Sequence, residues 1–217
     1  MPFIDRTDAG KQLAKALAGY KNRKPVILAL PRGGVPVAAE IATALNAPLD
    51  LMLIRKIGVP WQPELAMGAV ADGKTPIVIR NEQVIQYAGV EQADFDLVCA
   101  RELVEIERRK QVYLGNRKSV DLVDRVVILV DDGIATGASV RAALGAIRNR
   151  QAKAIVLAVP VGPVDTLRMI RQEVDEVVCL EEYEEFGAIG LYYRHFAQLK
   201  DQEVIDILAR FPSRAAT

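Results

Sequence analysis

Apolar residues in this chain gather in short runs of strand length, separated by longer stretches of mixed character. Most of the runs are continuous rather than alternating, which is typical of strands that are buried on both faces of a parallel sheet. The pattern therefore predicts a mostly parallel β-sheet. Its predicted strands are Val26–Leu30, Leu49–Ile54, Ile77–Ile79, Val126–Val130, Ala154–Val159 and Val177–Leu180.

The segments between these strands include helical patterns, in which apolar residues recur every three or four positions. The clearest two stripes are Val37, Ile41 and Leu45 in one segment and Val140, Leu144 and Ile147 in the other. Strands that alternate with helices predict an α/β fold, here a doubly wound, mostly parallel sheet flanked by helices.

One segment departs from this alternation. From Glu91 to about Tyr113 the pattern predicts a single long helix, whose apolar face holds Phe95, Cys99, Leu103 and Ile106. Its outer face is densely charged, and Glu105 precedes Arg109 in the favourable i,i+4 order. This pattern favours a solvated helix surface over a nucleic-acid interface.

Composition changes the picture mainly by exclusion. The 217 residues are 51% hydrophobic, enough to fill the core of one sizeable domain. The 28 basic residues balance the 28 acidic ones, so the overall charge indicates no nucleic-acid or membrane partner. Any anion site must therefore be local.

The compartment follows from the cysteines and the amino terminus. Cys99 and Cys179 lie far apart, without metal-binding spacing and among apolar neighbours, which favours reduced thiols. The first residues carry Asp5, Arg6 and Asp8 where a signal peptide would be apolar. The longest uncharged run, AIVLAVPVGPV, is too short to span a bilayer. We expect a cytoplasmic protein.

The candidate chemistry lies in VILVDDGIATGAS, residues 127–139. Asp131 and Asp132 follow an apolar strand, and the carboxyl ends of parallel strands are where ligands bind. Two adjacent carboxylates repel one another unless cations or hydroxyl groups meet them. The small residues that follow, with the hydroxyls of Thr136 and Ser139, open a helix whose backbone N–H groups would bind an anion.

The acid pair and the loop that follows it together fit a ribose 5-phosphate. The acid pair would bind the vicinal hydroxyls, and the helix terminus would bind the phosphate. The chain lacks both the GxxxxGK[ST] and the GxGxxG phosphate-binding patterns. A rival interpretation, a magnesium-binding acidic pair of a phospho-acceptor domain, needs a further carboxylate at a neighbouring strand end. Asp50 is expected to precede its strand, so this rival ranks low.

Residues 127–139 resemble the phosphoribosyl-pyrophosphate (PRPP) motif of the type I phosphoribosyltransferases. The resemblance implies that Asp131 and Asp132 hold the ribose 2- and 3-hydroxyls and that the following loop wraps the 5-phosphate. Gly133 stands where this family more often has an apolar residue, and Ser139 where threonine is common. The implied substrate-binding loop residues are Gly133, Ala135, Thr136, Gly137, Ala138 and Ser139.

Two further stretches fit the same family in order. LALPRGG resembles its pyrophosphate loop and implies roles for Arg32, Gly33 and Gly34, with a cis peptide expected between Pro31 and Arg32. Arg55 and Lys56 then open the stretch LIRKIGVPWQPELAMGAVADGK, which is expected to be a mobile loop that covers the site. The resemblance implies a catalytic role for these two basic residues.

The implied reaction transfers the 5-phosphoribosyl group from PRPP to a nitrogenous acceptor, which could be a nucleobase, and releases pyrophosphate. Mg²⁺ is the implied cofactor, held largely by PRPP and water, with no dedicated protein ligand and at most an indirect contribution from Asp131 or Asp132. The acceptor is not identified, and AVPVGPVDTL lacks the lysine with which purine-type members read the base. Two alternatives stay open, a non-catalytic PRPP-sensing regulator and a phosphoribosyl hydrolase.

The resemblance also implies the domain organisation. Residues 1–217 are expected to form a single domain with a helical insertion near 81–120, a small hood or tail near 180–217, and assembly as a homodimer. The aromatic residues near the hood are expected to form a core or a dimer interface rather than to stack on a base. His195 is expected to have a structural role. Trp61 could be a lid residue or merely exposed. The aromatic residues are Tyr183, Phe186, Tyr192, Tyr193 and Phe196.

Overall fold

A computed structural model describes residues 2–72 and 76–212 and contains two sheets. The five-stranded sheet is parallel throughout, in the order β2-β1-β6-β7-β8, and the three-stranded sheet is antiparallel, in the order β3-β4-β5. The strands are β1 (Val26–Ala29), β2 (Leu49–Leu51), β3 (Ile54–Val59), β4 (Gln62–Ala71), β5 (Ile77–Arg80), β6 (Val126–Val130), β7 (Ala154–Pro163) and β8 (Glu176–Tyr183).

Helices cover both faces of the parallel sheet. They are α1 (Arg6–Ala16), α2 (Gly34–Leu45), α3 (Glu82–Ala88), α4 (Gln92–Leu114), α5 (Ala138–Asn149), α6 (Val164–Ile170) and α7 (Asp201–Ala209), with 3₁₀ turns at Ala18–Arg23 and Ile189–Tyr192. The predicted fold class, a doubly wound mostly parallel sheet with a small hood, is confirmed; the antiparallel sheet forms a hood that is separate from residues 180–217. Within the described ranges, no helix is long and apolar enough to cross a membrane.

The continuous apolar strands explain why both faces are covered. Successive side chains of a strand point to opposite faces. In β6, Ile128 and Val130 face one core, which α1, α2, α4 and α7 complete, while Val127 and Leu129 face a second core that α5 and α6 complete. All four side chains are fully buried. Continuous runs are therefore the expected pattern for this sheet.

The stretch from Ile54 to Ala71 departs from the prediction. It was expected to continue the second strand and then form a loop, but it forms the β3–β4 hairpin, and β5 joins that hairpin rather than the parallel sheet. The glycines that suggest a loop instead allow close strand contact, since a Cβ at Gly58 would lie 2.4 Å from Pro63 O and one at Gly68 2.5 Å from Ile79 O. Gly73 and Lys74, at the end of the stretch, lie outside the described residues.

The charged segment forms the long helix that its pattern predicts. In α4, Phe95, Cys99 and Ile106 are buried. Glu105 on the outer face accepts hydrogen bonds from Arg108 at 2.7 Å and from Arg109 at 2.8 Å, which lower the pKa of its carboxyl to about 2. The helix packs on the hairpin and on α7. Helix α7 also contacts α2, which covers the parallel sheet.

Candidate active site

The pyrophosphate-loop candidate and the acid pair meet because β1 and β6 are neighbours. Ala29 pairs with Val130 in register, so the residues that follow both strands leave the same edge of the sheet. Arg32, Gly33, Asp131 and Asp132 line one cleft of about 380 Å³. The structure therefore brings together residues that are about one hundred positions apart in the chain.

Gly33 and Gly34 allow the two loops to touch. A Cβ at Gly33 would lie 2.1 Å from Asp132 Oδ2, and one at Gly34 would lie 2.6 Å from Val130 O. Neither position has room for a side chain. The peptide bond between Pro31 and Arg32 is cis, as predicted.

The acid pair is only partly neutralised by the protein. The Asp132 N–H donates to Asp131 Oδ1 at 2.8 Å, and Arg6 Nε donates to Asp132 Oδ2 at 2.7 Å. Withdrawal of the Asp131 carboxyl from water raises its pKa well above the usual value, and the negative charge of Asp132 raises it further. One guanidinium thus faces two carboxylates, and this edge of the sheet favours hydroxyl groups or a further cation.

Arg6 is a site residue that the sequence reasoning missed. Besides Asp132, its guanidinium donates from Nη1 to Ala197 O at 2.9 Å and lies over the Phe196 ring, with Cζ 3.8 Å from the centroid. The available signal was the acid pair itself, because adjacent carboxylates require a cation that the motif does not contain. Sequence could not select Arg6 among the 28 basic residues.

The carboxyl-terminal part of the chain forms one wall of the cleft. We call residues Phe196, Ala197, Gln198 and Leu199 the strap; they lie in irregular structure between the second 3₁₀ turn and α7. Two backbone hydrogen bonds hold the chain just before the strap to the amino terminus, from Arg194 N to Phe3 O at 2.8 Å and from His195 N to Ile4 O at 3.0 Å. The strap and the start of α1 are therefore linked.

The phosphate-loop candidate leads directly into α5. Gly137 has a φ of 76° and precedes the helix without a side-chain cap, so the first N–H groups of α5 have no partner of that kind. Ala135, Thr136 and Ser139 are exposed around this helix terminus. The loop is anchored to α6, because Thr166 Oγ1 donates to Ala135 O at 2.8 Å.

Gly133 and Ala138 complete the sequence-predicted loop. A Cβ at Gly133 would lie 2.7 Å from Ile189 Cγ2, so the close packing of the second 3₁₀ turn explains the glycine. Ala138 is the first residue of α5 and is exposed.

Arg32 reaches from the cleft towards α7. Its Nη1 lies 3.5 Å from Asp201 Oδ1, which also accepts a 2.6 Å hydrogen bond from the Tyr113 hydroxyl of α4. Burial, together with this bond to a carboxylate, raises the pKa of Tyr113 to about 12. Asp201 and Tyr113 were not singled out by sequence, since only the fold brings α4 and α7 to the pyrophosphate loop.

Arg55 and Lys56 lie outside this cleft. Both are on β3 and line a second cleft of about 240 Å³ between the hairpin and α4. Arg55 Nε donates to Glu102 Oε2 at 2.7 Å, and Lys56 Nζ lies 3.2 Å from Glu64 Oε2. The structure does not bring these two basic residues together with Arg32 or with the acid pair.

The rival acidic site does not form. Asp50 was expected to precede its strand, but it lies in the middle of β2, where it is buried and accepts from Leu51 N at 2.9 Å and from Val120 N at 2.8 Å. Burial raises its pKa. Its carboxylate therefore has a structural role, tying the residues before β6 to β2.

The remaining candidates are the aromatic residues of the carboxyl-terminal region, His195 and Trp61. The aromatic residues near the hood pack on one another, with ring centroids 4.9 Å apart for Phe186 and Tyr192 and 5.5 Å apart for Phe3 and Tyr193. The Tyr193 hydroxyl donates to Asp132 O at 2.5 Å, and burial raises its pKa. His195 is exposed, and Trp61 is 60% exposed at the hairpin turn.

Comparison with known proteins identifies a family for this chain. The family model of the phosphoribosyl transferase domain matches residues 4–194. The chain is 45% identical over 208 residues to the Mycobacterium tuberculosis protein named "Putative phosphoribosyl transferase Rv0571c", and the match covers 96% of this chain and 46% of the relative. The chain therefore spans about half the length of the curated relatives that it matches.

Solved structures are similar over nearly the whole chain. The crystal structure of TT1426 from Thermus thermophilus is 38% identical, with a TM-score of 0.86, and the match covers 98% of this chain and 100% of that one. The structure of AQ2163 from Aquifex aeolicus shares the fold, with 12% identity, a TM-score of 0.52, and coverage of 96% and 87%. By the extent of the family match and by its close relatives, the chain belongs to the phosphoribosyl transferase domain family.

Proposed function

We propose that this chain transfers the 5-phosphoribosyl group of PRPP to a nitrogenous acceptor, such as a nucleobase, and releases pyrophosphate. One observation carries the proposal: Asp131 and Asp132 lie against the Arg32–Gly33 loop at one edge of the sheet, directly before the uncapped α5 terminus. A diphosphate, two vicinal hydroxyls and a monophosphate would meet three matching environments there. PRPP carries these groups in that order.

In this proposal the chain's own residues bind and orient the donor. Asp131 and Asp132 accept hydrogen bonds from the ribose hydroxyls. The 5-phosphate lies at the α5 terminus, surrounded by Ala135, Thr136, Gly137, Ala138 and Ser139. Gly33 and Gly34 bring backbone close to the diphosphate, and Arg32 adds positive charge where the leaving group departs. Displacement at the anomeric carbon passes through an oxocarbenium-like state, so no covalent protein nucleophile is needed.

We propose that Mg²⁺ accompanies PRPP. Among the described residues, no group of three or more histidine, cysteine or acidic side chains could hold a metal ion. The acid pair, with two carboxylates against one guanidinium, is nevertheless suited to a hydrated cation. PRPP and water would hold most of the ion, Asp131 or Asp132 would contribute at most through water, and the bound ion would neutralise charge on the departing pyrophosphate.

Calorimetric titration of PRPP, with and without Mg²⁺, tests the donor site. We expect Mg²⁺-dependent binding to the native chain and its loss in the Asp131→Asn/Asp132→Asn double variant. Both asparagines keep the shape of the side chains, so a matched thermal unfolding curve controls for folding. A well-folded native chain that binds no PRPP would contradict the proposal.

A second candidate function is PRPP sensing without turnover. The observation that favours it is the position of Arg55 and Lys56, which pair with Glu102 and Glu64 outside the cleft. A screen of nucleobases and amines for pyrophosphate release separates the two functions. Release with an acceptor supports transfer, binding without release supports sensing, and release without any acceptor supports a phosphoribosyl hydrolase.

We further propose that residues 1–217 act as one domain, with α3 and α4 as an insertion near 81–120 and with residues near 180–217 as a hood over the acceptor. The strap supports this assignment because it lines the cleft. We propose a role in nucleotide metabolism and a cytoplasmic location. The two unpaired cysteines support the location, because thiols stay reduced in the cytoplasm. We also propose a homodimer, without nucleic-acid or membrane partners, which light scattering of the purified chain would test.

A further inference from the structure

Arg6 has an unusual set of contacts for a residue at the start of a surface helix. Its side chain is 11% exposed, as is that of Asp132, and the same guanidinium contacts Asp132 Oδ2, Ala197 O and the Phe196 ring. It therefore joins three parts of the cleft wall: the amino-terminal helix, the acid pair and the strap. An arginine with two hydrogen-bonded partners and a ring behind it is held in one orientation.

The local structure around Arg6 fixes where that guanidinium lies. Asp5 caps α1 by accepting from Asp8 N at 2.8 Å, which makes Arg6 the first helical residue. On the preceding side, Phe3 N donates to Tyr192 O at 2.8 Å. The backbone on both sides of Arg6 is thus anchored independently of the acid pair.

The hydrogen bonds of the acid pair leave two oxygens open. Asp131 Oδ1 accepts from the Asp132 N–H, and Asp132 Oδ2 accepts from Arg6. Within the described part of the chain, no other protein group donates to Asp131 Oδ2 or Asp132 Oδ1, although the two carboxyl groups interact with each other. One oxygen of each carboxylate is therefore available, and two vicinal ribose hydroxyls need two acceptors.

We propose that Arg6 is a positioning residue for the ribose half of PRPP, holding the Asp132 carboxylate so that one oxygen of each aspartate faces the sugar hydroxyls. This inference rests on the proposed function and deepens it. Without Arg6 the Asp132 carboxylate loses its cation and is free to turn, whereas Asp131 keeps its bond from the Asp132 N–H, so the sugar would meet only one ordered acceptor. Through Ala197 and Phe196, Arg6 also fixes the strap beside the sugar.

Two halves of the donor serve as separate probes in calorimetric titration with Mg²⁺ present. We expect Arg6→Met to weaken binding of ribose 5-phosphate at least tenfold while binding of inorganic pyrophosphate changes less than twofold. Arg32→Met should do the reverse, since Arg32 lies in the pyrophosphate loop. Arg6→Lys, which can pair with Asp132 but cannot keep all three contacts, should recover part of the loss.

Arg80→Met is the matched control. Arg80 also combines an ion pair, to Glu82 at 2.7 Å, with a position over a phenylalanine ring, Phe95, whose centroid lies 4.2 Å from Cζ. It lies on the antiparallel sheet, outside the cleft, so neither probe should change in affinity. The pyrophosphate titration shows that the cleft is folded in the Arg6 and Arg80 variants, and the ribose 5-phosphate titration shows it in Arg32→Met.

The outcomes distinguish the inference from the proposed function. A native chain that binds neither probe overturns both. Unchanged ribose 5-phosphate affinity in Arg6→Met overturns the inference alone, and so does a gain in affinity, which would show that Arg6 competes with the sugar for Asp132. Should Arg6→Met not fold, the same comparison is made in Arg6→Gln, which removes the positive charge that faces Asp132, and native affinity for ribose 5-phosphate in that variant overturns the inference.

Discussion

Gly33 lies in the proposed pyrophosphate loop, and its backbone packs directly against the Asp132 carboxylate. A methyl group there would lie 2.1 Å from Asp132 Oδ2, so either the loop or the carboxylate must move. We expect Gly33→Ala to weaken PRPP binding at least tenfold and to cost about 1–3 kcal/mol of stability from overpacking. Calorimetric titration and denaturant unfolding measure the two effects.

Gly19→Ala is the control for this substitution, because a Cβ at Gly19 meets no atom within 4 Å. It should leave PRPP affinity unchanged and should not lower stability by overpacking. Native-like PRPP binding by Gly33→Ala would show that the contact between the two loops does not set the geometry of the donor site.

Asp72 predicts how stability depends on pH. It is 4% exposed and accepts from Leu53 N at 2.9 Å, and burial raises the pKa of its carboxyl from 3.8 to about 6. A raised pKa means that the folded state holds the proton more tightly. This contribution is therefore present below about pH 4 and is lost as pH rises to 6, by about 2–3 kcal/mol.

The substitution Asp72→Asn keeps an oxygen that can accept from Leu53 while removing the charge. We expect the variant to be more stable than the native chain at pH 7.5 by about 2 kcal/mol, with the difference vanishing near pH 4. Urea unfolding at both pH values measures it. Asp165→Asn is the control at an exposed site, 80% accessible, and an equal pH dependence in that variant would contradict the assignment.

The β3–β4 hairpin carries two basic residues with different expected effects on stability. Arg55 pairs with Glu102, whose side chain is 10% exposed, whereas Lys56 pairs with Glu64, whose side chain is 96% exposed. Removing Arg55 leaves a buried carboxylate whose one remaining ion pair among the described residues is with the more distant Arg101, at 3.6 Å. We expect Arg55→Met to cost about 2 kcal/mol and Lys56→Met less than about 0.5 kcal/mol.

Denaturant unfolding of the two variants tests this contrast, and each serves as the control for the other. PRPP binding should persist in both, since neither side chain lines the donor cleft. Equal losses of stability would show that Glu102 does not depend on Arg55. A loss of PRPP binding would instead indicate that the hairpin moves over the cleft when the donor binds.

The same elements show what sequence could and could not predict. The parallel strands and the loops after β1 and β6 were accessible because continuous apolar runs and local motifs encode them within a few residues. The hairpin was not, because Gly58 and Gly68 suggest a loop until the partner strand is known. Nor was the Arg6–Asp132 pair, whose members are 126 positions apart and meet only through the fold.

The proposed donor site is built from distant segments of the chain, and these segments are held in place by the two cores on either side of the parallel sheet. The site takes residues from loops that follow β1 and β6, from the start of α1 and from the strap. Unfolding destroys these contacts together, so a ligand that binds only the folded chain stabilises all of it. This linkage gives a measurement that needs no knowledge of the acceptor.

With PRPP and Mg²⁺ at about 100 times the dissociation constant, the expected stabilisation is about 2.7 kcal/mol, which raises Tm by about 5–10 °C for a chain of this size. Thermal unfolding of the native chain and of Asp131→Asn/Asp132→Asn measures it. The double variant should show no rise, because its carboxylates no longer hold the ribose, although it unfolds cooperatively. A rise of the same size in both proteins would place the bound PRPP away from the acid pair, and it would contradict the proposed donor site while leaving the fold assignment intact.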